Sequence, residues 1–360
     1  MKRTLSLPTL LLAAVLAALP CVPAQADSRT DTRKDFNIAW SIYVGWMPWA
    51  YADQAGIVKQ WGDKYGIKIH VVQINDYVES INQYTAGKFD GVTVTNMDAL
   101  TIPAAGGVDT TALIVGDYSN GNDGIILKNK KQLADIKGQK VELVQFSVSH
   151  YLLARGLSTV GLSEKDITTV NTSDADIVGA YKASDTTALV TWNPQLSEIK
   201  AEPSAAMVFD SSRIPGEIID TLAVNTQTLK DNPKLGQALV GIWYDTLKLM
   251  QRQDAQGQAA REGMAKLSGA SPASFEGQLR TTKLFYTPAE AAAFTDDAKL
   301  IKTMDLVRSF SFDHGLLGEG VTNKDAVGIA FPGGATLGNP KNIKLRFDSS
   351  YMKLAADGKL

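Results

Sequence analysis

The chain is expected to fold as an α/β protein in two lobes, and three observations lead there. From Phe36 onward, short β-branched runs alternate with helix-patterned segments, the order that parallel α/β sheets require. A chain of 360 residues exceeds what one hydrophobic core ordinarily fills, so it is expected to divide. After Asp117 the polar, glycine-rich run Tyr118-Ser119-Asn120-Gly121-Asn122-Asp123-Gly124 interrupts the alternation, where a crossing between lobes belongs.

The N-terminus comes first. Lys2 and Arg3 precede an apolar stretch from Leu5 to Leu19, then Pro20 and Ala24-Gln25-Ala26, the three regions of an export signal with cleavage expected near Ala26. The apolar run is shorter than the roughly 20 residues of a membrane span. No comparable run follows, and Ala18-Leu19-Pro20 is a poor context for lipidating Cys21. Cleavage would remove the only cysteine, which leaves no disulfide and suits a periplasmic protein stabilised by its size. The formal net charge is −2, with 36 Lys and Arg against 38 Asp and Glu and no basic block, so nucleic acid is not an expected partner.

Phe36–Trp40 is predicted as the first strand, followed by a Gly/Pro-punctuated loop and a helix from Pro48 to about Tyr65. Ile67–Gln73, with Ile67, Ile69 and Val71 alternating, is the second strand. Asp76 caps a helix from Tyr77 to about Ala86, with Glu79 as its capping-box partner. Gly91–Val94 is the third strand, Thr95-Asn96-Met97-Asp98 opens the next helix, and Thr111–Val115 is the fourth strand. A second α/β unit follows the crossing. It has strands at Ile125–Leu127, Val141–Leu143, Thr187–Thr191 and Met207–Phe209, with helices around Lys131–Ile136, from Ser147 to about Val160, and near Ala175–Ala183. Asp220–Asn225, within the apolar run Ile218–Val224, is expected to carry the chain back to the first lobe. The remainder reads as helical: Pro233–Gln251, Pro272–Leu279 capped by Ser271, a helix opened by the capping box Thr287-Pro288-Ala289-Glu290, and Thr303–His314. A Gly/Pro-rich loop through Pro340 and a short final strand, Ile343–Phe347, close the chain.

Trp40–Tyr51 holds five aromatic rings in twelve residues, including three of the six tryptophans, and no cation. Such rings serve core packing or line a pocket, and at the carboxyl end of a first strand the second use is favoured. The other strand-end loops, Thr95–Asp98, Asp117–Gly124, Phe146–His150 and Trp192–Pro194, also contain no Lys or Arg. They contain Asp98, Asp117 and Asp123, with Asp220 on the return. Carboxylates beside indole and phenol rings suit a small cation or a multi-donor amide. For Asp98 the competing use is helix capping, and for Asp117 and Asp123 it is turn chemistry. The only histidines, His70, His150 and His314, do not share ligand spacing, so no metal site is expected. His150 follows Ser147 and Ser149 at a strand-to-helix loop, where hydroxyls and helix amides bind polar ligands or simply cap the helix. No G-x-S-x-G elbow, H-E-x-x-H helix or phosphate loop with its Lys occurs, which weighs against hydrolase and nucleotide chemistry.

Tyr43-x-Gly45-Trp46-x-Pro48, Ala52-x-x-x-Gly56-Ile57-Val58, Ala86-Gly87-Lys88-Phe89-Asp90-Gly91, Asp98-Ala99 and Ala104-Ala105-Gly106-Gly107 together resemble periplasmic substrate-binding proteins of ABC importers in the nitrate/sulfonate/taurine group. The resemblance is closest to the branch associated with urea carboxylase operons. It implies a two-lobed, type II-like periplasmic-binding-protein fold, with residues 27–118 and 225–360 in one lobe, residues 119–224 in the other, and a ligand cleft between two crossings. Carried over by position, the cleft residues are Tyr43, Trp46, Asn96, Asp98, Asp117, Ser147, His150, Trp192 and Asp220. Trp49 and Tyr51 are expected to pack the first helix instead. The resemblance further implies a monomer that hands a small solute to an inner-membrane permease, with no cofactor and no catalysis. Because the cleft loops lack the cation that a sulfonate or nitrate site commonly has, guanidinium is the expected solute ahead of urea. Three alternatives stand beside it. One is a receptor for a small anion such as taurine, an alkyl sulfonate or nitrate, held by helix N-termini. Another is an enzyme resembling the pyrimidine-precursor synthases of thiamine biosynthesis, which share this fold but use a cysteine-rich segment. The third is a chemoreceptor accessory or scaffold.

Overall fold

The computed structural model describes residues 33–360, so the expected export signal and Cys21 fall outside the described residues. The strands form two sheets. In the first, β1 (Asp35–Trp40), β2 (Lys68–Gln73) and β3 (Gly91–Thr95) run parallel. β4 (Thr110–Ser119) leaves this sheet through a turn at Asn120–Asn122 into β5 (Asp123–Lys128), the start of the second. The second sheet is completed by β6 (Lys140–Leu143), β7 (Thr168–Asn171), β8 (Ala188–Trp192) and β9 (Ala205–Asp210), in the order β7-β6-β8-β5-β9. The segment 211–218 then leads back to β10 (Ile219–Asn225) in the first sheet. There β11 (Thr282–Leu284), β12 (Gly328–Ala330), β13 (Thr336–Leu337) and β14 (Ile343–Phe347) follow, giving the order β13-β12-β14-β4-β10-β3-β1-β2 with β11 on β4.

This corrects two expectations. The first sheet is mixed, because β10 is antiparallel to both of its neighbours, β3 and β4. Asp220–Asn225 is accordingly not a crossing but the body of a central strand. Residues 219–224 are all buried, which is what an apolar run flanked by two strands permits. β4 also extends to Ser119, so only Asn120–Asn122 remain for the first crossing.

Several element boundaries move for identifiable reasons. The helix expected over Pro48–Tyr65 is two helices, Met47–Gln54 and Ile57–Tyr65, because Gly56 takes a left-handed conformation at φ 76°. Asp76 does cap the helix Tyr77–Thr85 through the Glu79 amide, but the Glu79 carboxylate turns outward and accepts from Gln83. The capping box at Thr287 and Glu290 is complete, and Ser271 caps Pro272–Leu279. Asp297 caps a helix Ala298–Asp313 that begins before the expected Thr303. Ile343–Phe347 forms as a strand, but a helix Ser350–Ala356 follows it. Helices at Ala255–Leu267 and Gln195–Lys200, and the strand β7, carry no strong period and were not anticipated. No described helix is long and apolar enough to cross a membrane.

The helix Pro233–Met250 packs its apolar stripe under the first sheet. Trp243 on that helix stacks on Trp49 with ring centroids 5.4 Å apart and covers Gly116, where a methyl group would lie 2.9 Å from the indole. Tyr51 packs against Gly263 of the helix Ala255–Leu267. Both rings therefore serve helix packing. Replacing Trp49 with Ala should cost about 3–5 kcal/mol of stability, read as a lower denaturation midpoint in urea, because its stacked partner cannot collapse into the space.

Candidate functional site

The strand directions determine where the chemistry collects. β3 and β4 run the same way and β10 runs against them, so the carboxyl ends of β3 and β4 meet the amino end of β10. In register, Asp220 pairs with Thr95 on one side and with Asp117 on the other. A bulge accompanies this row, because the next β10 residue, Thr221, pairs with Val115 and passes over Gly116. In the second sheet Trp192, at the carboxyl end of β8, pairs with Asp123 at the start of β5. Ends of both sheets thus face one cavity, the position that open α/β sheets favour for ligands.

Tyr43, Trp46, Tyr77, Thr95, Asp123, Val148, Trp192, Ile218 and Asp220 line this cavity. None of these nine residues is Lys, Arg or His. The four rings form a continuous wall. Tyr43 meets Trp46 edge-on at 5.1 Å, Trp46 lies 5.7 Å from Tyr77, and Tyr77 meets Trp192 edge-on at 5.6 Å. Each tyrosine is anchored behind the wall by a buried carboxylate. Tyr43 donates to Asp117 Oδ1 at 3.0 Å, and Tyr77 donates to Asp98 Oδ2 at 2.7 Å, which Thr95 Oγ1 also reaches at 2.9 Å. Asp98 Oδ1, Asp117 Oδ2 and the indole N–H of Trp46 have no hydrogen-bond partner.

Gly45 is required here by space rather than by conformation. A Cβ on it would stand 2.5 Å from Asp117 Oδ2 and 2.5 Å from the Tyr43 ring, so only glycine lets the Tyr43–Asp117 pair pass beneath the loop.

Electrostatically the site is unusual. Asp117 and Asp220 stand side by side as cross-strand partners, and both are pushed upward, by burial first and, for Asp220, by the negative charges of Asp117 and Asp123. Burial raises Asp123 to about 7 against the Ser119 hydroxyl that stabilises its carboxylate, and raises Asp98 to about 6 despite donors from Tyr77 and Thr95. Burial also lifts the Tyr43 and Tyr77 hydroxyls, followed by the carboxylates they face.

The structure brings Tyr43, Trp46, Trp192 and Asp220 together as cavity wall, and sets Asp98 and Asp117 immediately behind it. Asn96, Ser147 and His150 lie outside the lining. Asn96 is occupied in tying β3 to β10, donating to the Glu217 carbonyl at 3.0 Å and accepting from the Ile219 amide at 3.1 Å. Ser147 caps the helix Val148–Thr159, donating to Val144 O and accepting from the Ser149 amide, and it is the next residue, Val148, that reaches the cavity. His150 turns the other way, into a cluster with Glu164 and His314. Its Nε2 pairs with Glu164 Oε1, and His314 Nε2 lies 2.6 Å from Glu164 Oε2.

Those three ligand-type groups lie close enough to be examined as a metal centre. The tautomers weigh against it. Phe146 N–H donates to His150 Nδ1, which leaves the ring proton on Nε2, the atom that would have to ligate. His314 Nδ1 donates to the Phe310 carbonyl, so its Nε2 is withheld from ligation only when the ring is charged, the state that Glu164 beside it favours. The cluster reads as an ion pair, with Glu164 lowered to about 2 by both imidazoles against the cost of burial, and His314 raised by Glu164.

Tyr77, Val148 and Ile218 are wall residues that the loop reading did not select; Thr95 and Asp123 lie in loops it named, Asp123 as a candidate carboxylate, but neither is among the carried-over cleft residues. Tyr77 carried a usable signal: an aromatic residue directly after the cap Asp76 sits at a strand-to-helix junction, as Trp46 does.

A family model described as NMT1/THI5 like matches residues 55–251. No curated protein sequence matches the chain. Among solved structures, the alkanesulfonate-binding protein SsuA from Xanthomonas axonopodis pv. citri bound to MOPS is similar at 19% identity and a TM-score of 0.65, covering 79% of this chain and 95% of that one. The periplasmic nitrate-binding protein NrtA from Synechocystis PCC 6803 is similar at 12% identity and a TM-score of 0.57, covering 91% and 99%. The desulfurization enzyme DSZB is similar at 15% identity and a TM-score of 0.56, covering 80% and 94%. The α/β architecture with two sheets is thus the periplasmic-binding-protein fold of the first two.

Two outcomes follow from this geometry. Gly45→Ala should cost about 1–3 kcal/mol, the range of overpacked cores, and should shift the near-ultraviolet circular dichroism of the aromatic wall as Tyr43 is driven off Asp117. The raised carboxyls set a pH dependence. A carboxyl whose folded pKa exceeds its unfolded value of about 3.9 binds more protons in the native state, so its contribution falls as pH rises from about 4 through the folded value near 7. Asp123→Asn should therefore lose less stability than the parent protein between pH 5 and pH 8 in paired thermal melts.

Proposed function

The chain belongs to the NMT1/THI5-like family, and from that premise we propose that it is the periplasmic solute-binding component of an ABC importer that captures a small planar nitrogen-rich solute, guanidinium ahead of urea. The observation that carries the proposal is the chemistry of the cavity wall: two carboxyl side chains, four aromatic rings and no cationic side chain. Asp220 and Asp123 would accept paired N–H bonds, and a tryptophan or tyrosine face would attract the planar charge. In this reading the two sheets, residues 33–119 with 219–360 and residues 123–210, act as lobes that close over the solute about the crossings 120–122 and 211–218 and present it to a membrane permease. The role is binding without turnover.

A second reading takes the solute as a small anion, as the names of the sulfonate- and nitrate-binding structures would have it. One feature favours it: the unpartnered Trp46 N–H and the amino end of the helix Val148–Thr159 both lie at the cavity. Against it stands the desolvated acidity of the wall, which would repel an anion with no cation to offset it.

Titration calorimetry with guanidinium, urea, taurine and nitrate separates the two. Guanidinium should bind, and Asp220→Asn should weaken it by at least about a hundredfold, since truncating one partner of a buried charge pair costs about 3–5 kcal/mol. Tight binding of taurine or nitrate with no response to guanidinium or urea would reject the cation site.

A further inference from the structure

We propose that the site exchanges a proton for its cationic ligand: the Asp117–Asp220 pair holds one proton between its carboxyl groups while no cation is present, and releases it to solvent when a guanidinium-type cation enters. The inference rests on reading the cavity as a cation site. It goes further by fixing the charge state of the solute and the pH dependence of capture.

The first ground is geometric. Two buried carboxyl groups set side by side by the strand register cannot both ionise cheaply, and a proton held between them lets one donate to the other, since two carboxylates have only acceptors to offer. The strand register makes the pair unavoidable, since Asp220 and Asp117 are direct cross-strand partners and both are buried. The groups that face them are Tyr43, which donates to Asp117, then Asp123, and Tyr286, whose hydroxyl feels the Asp117 charge. None of these groups is cationic, so an ionised Asp117 and Asp220 would face no counter-charge among them, and a proton is the available one.

The second ground is the free valence left around the cavity. Asp117 Oδ2, on a side chain with no solvent exposure, has no hydrogen-bond partner, and Asp220 lines the space directly. A cation with several N–H groups would satisfy these oxygens and supply the positive charge that the proton had supplied. The exchange balances: the cation binds intact, one carboxyl O–H bond breaks, the proton passes to water or buffer, and the charge within the cavity is unchanged. The upward shift of both aspartates' pKa values agrees with a proton held near neutral pH.

Neutral solutes behave differently at such a site. Urea brings no charge, so it has no reason to displace the proton, and its affinity should not rise with pH. The pH dependence therefore distinguishes guanidinium from urea as the solute the site is built for.

The test is calorimetric titration of the whole protein with guanidinium chloride at submolar concentration, from pH 5 to pH 8.5, in buffers of different ionisation enthalpy. The buffer dependence of the heat counts protons. About one proton should be released per guanidinium near pH 6, affinity should rise about tenfold per pH unit at the acid end and level off above neutrality, and urea should show neither effect. In Asp220→Asn any remaining guanidinium binding should release markedly less than one proton. Guanidinium binding with no proton release, or unchanged release from Asp220→Asn, overturns the exchange while leaving the cation reading intact. No guanidinium binding, with taurine or nitrate bound instead, overturns that reading and the exchange with it.

Discussion

The antiparallel insertion of β10 between two strands of common direction is the constraint from which the site follows. Because β3 and β4 end where β10 begins, Thr95, Asp220 and Asp117 must form one row at the sheet edge. Two carboxyl groups side by side in a buried row cannot both ionise cheaply, and the surrounding sequence answers with hydroxyl donors rather than cations. Tyr43 takes Asp117, and Tyr77 with Thr95 takes Asp98. The tyrosines thereby do two jobs with one side chain: the phenol oxygen satisfies the acid behind it, and the ring becomes wall. Gly45 is the spatial condition for this, since any larger residue would occupy the path between ring and carboxylate.

Cations near the cavity are tied up elsewhere. Arg155 lies on the same helix that brings Val148 to the wall, yet Glu217 holds it through two bonds of 2.8 and 2.9 Å. Arg308 is shared between Asp305 and Asp325, and the half-buried charge of Glu164 is matched by His314 with His150 alongside. Each pairing is local, and none of these cations lines the cavity.

How much of this was legible in the sequence depends on the kind of signal involved. The Trp40–Tyr51 cluster announced itself by composition, and within it the separation of Tyr43 and Trp46 from Trp49 and Tyr51 matches where the structure puts them: wall for the first pair, helix packing for the second. Strand alternation gave most of the central elements, and capping chemistry gave the helices after Ser271 and Thr287. What could not be read was orientation. Nothing local distinguishes a parallel from an antiparallel Ile219–Asn225, so the central strand looked like a passage between lobes. Asn96, Ser147 and His150 have the residue types of ligand contacts and the loop positions too. Their side chains are nonetheless consumed by backbone groups and by Glu164, a choice that depends on partners more than a hundred residues away for Asn96 and fourteen away for His150. Tyr77 stays out of the sequence reading for the opposite reason, and Asp123, named among the loop carboxylates, stays out of the cleft set, since helix starts and polar turns are common sites for such residues without any ligand.

The cavity and the two crossings share one polar network. Asp123 is wall, yet its Oδ2 also accepts from Ser119 at the end of β4, and Ser119 meets Ser211 across the return segment at 2.6 Å. Ser211 in turn accepts from the Gly121 amide in the first crossing at 2.8 Å. Asn122, also in that crossing, donates to the Tyr43 hydroxyl at 3.1 Å and to Thr282 on β11. The only two chain passages between the sheets are thus bonded to each other and to two members of the wall. A change in the charge or protonation of Asp123 or of the Tyr43–Asp117 pair alters a hydrogen bond that belongs to a crossing, with no intervening packed layer. In a low-dielectric interior such bonds have few alternative partners, so the wall and the crossings must adjust together. Residues of the wall are therefore bonded directly to the connection between the sheets.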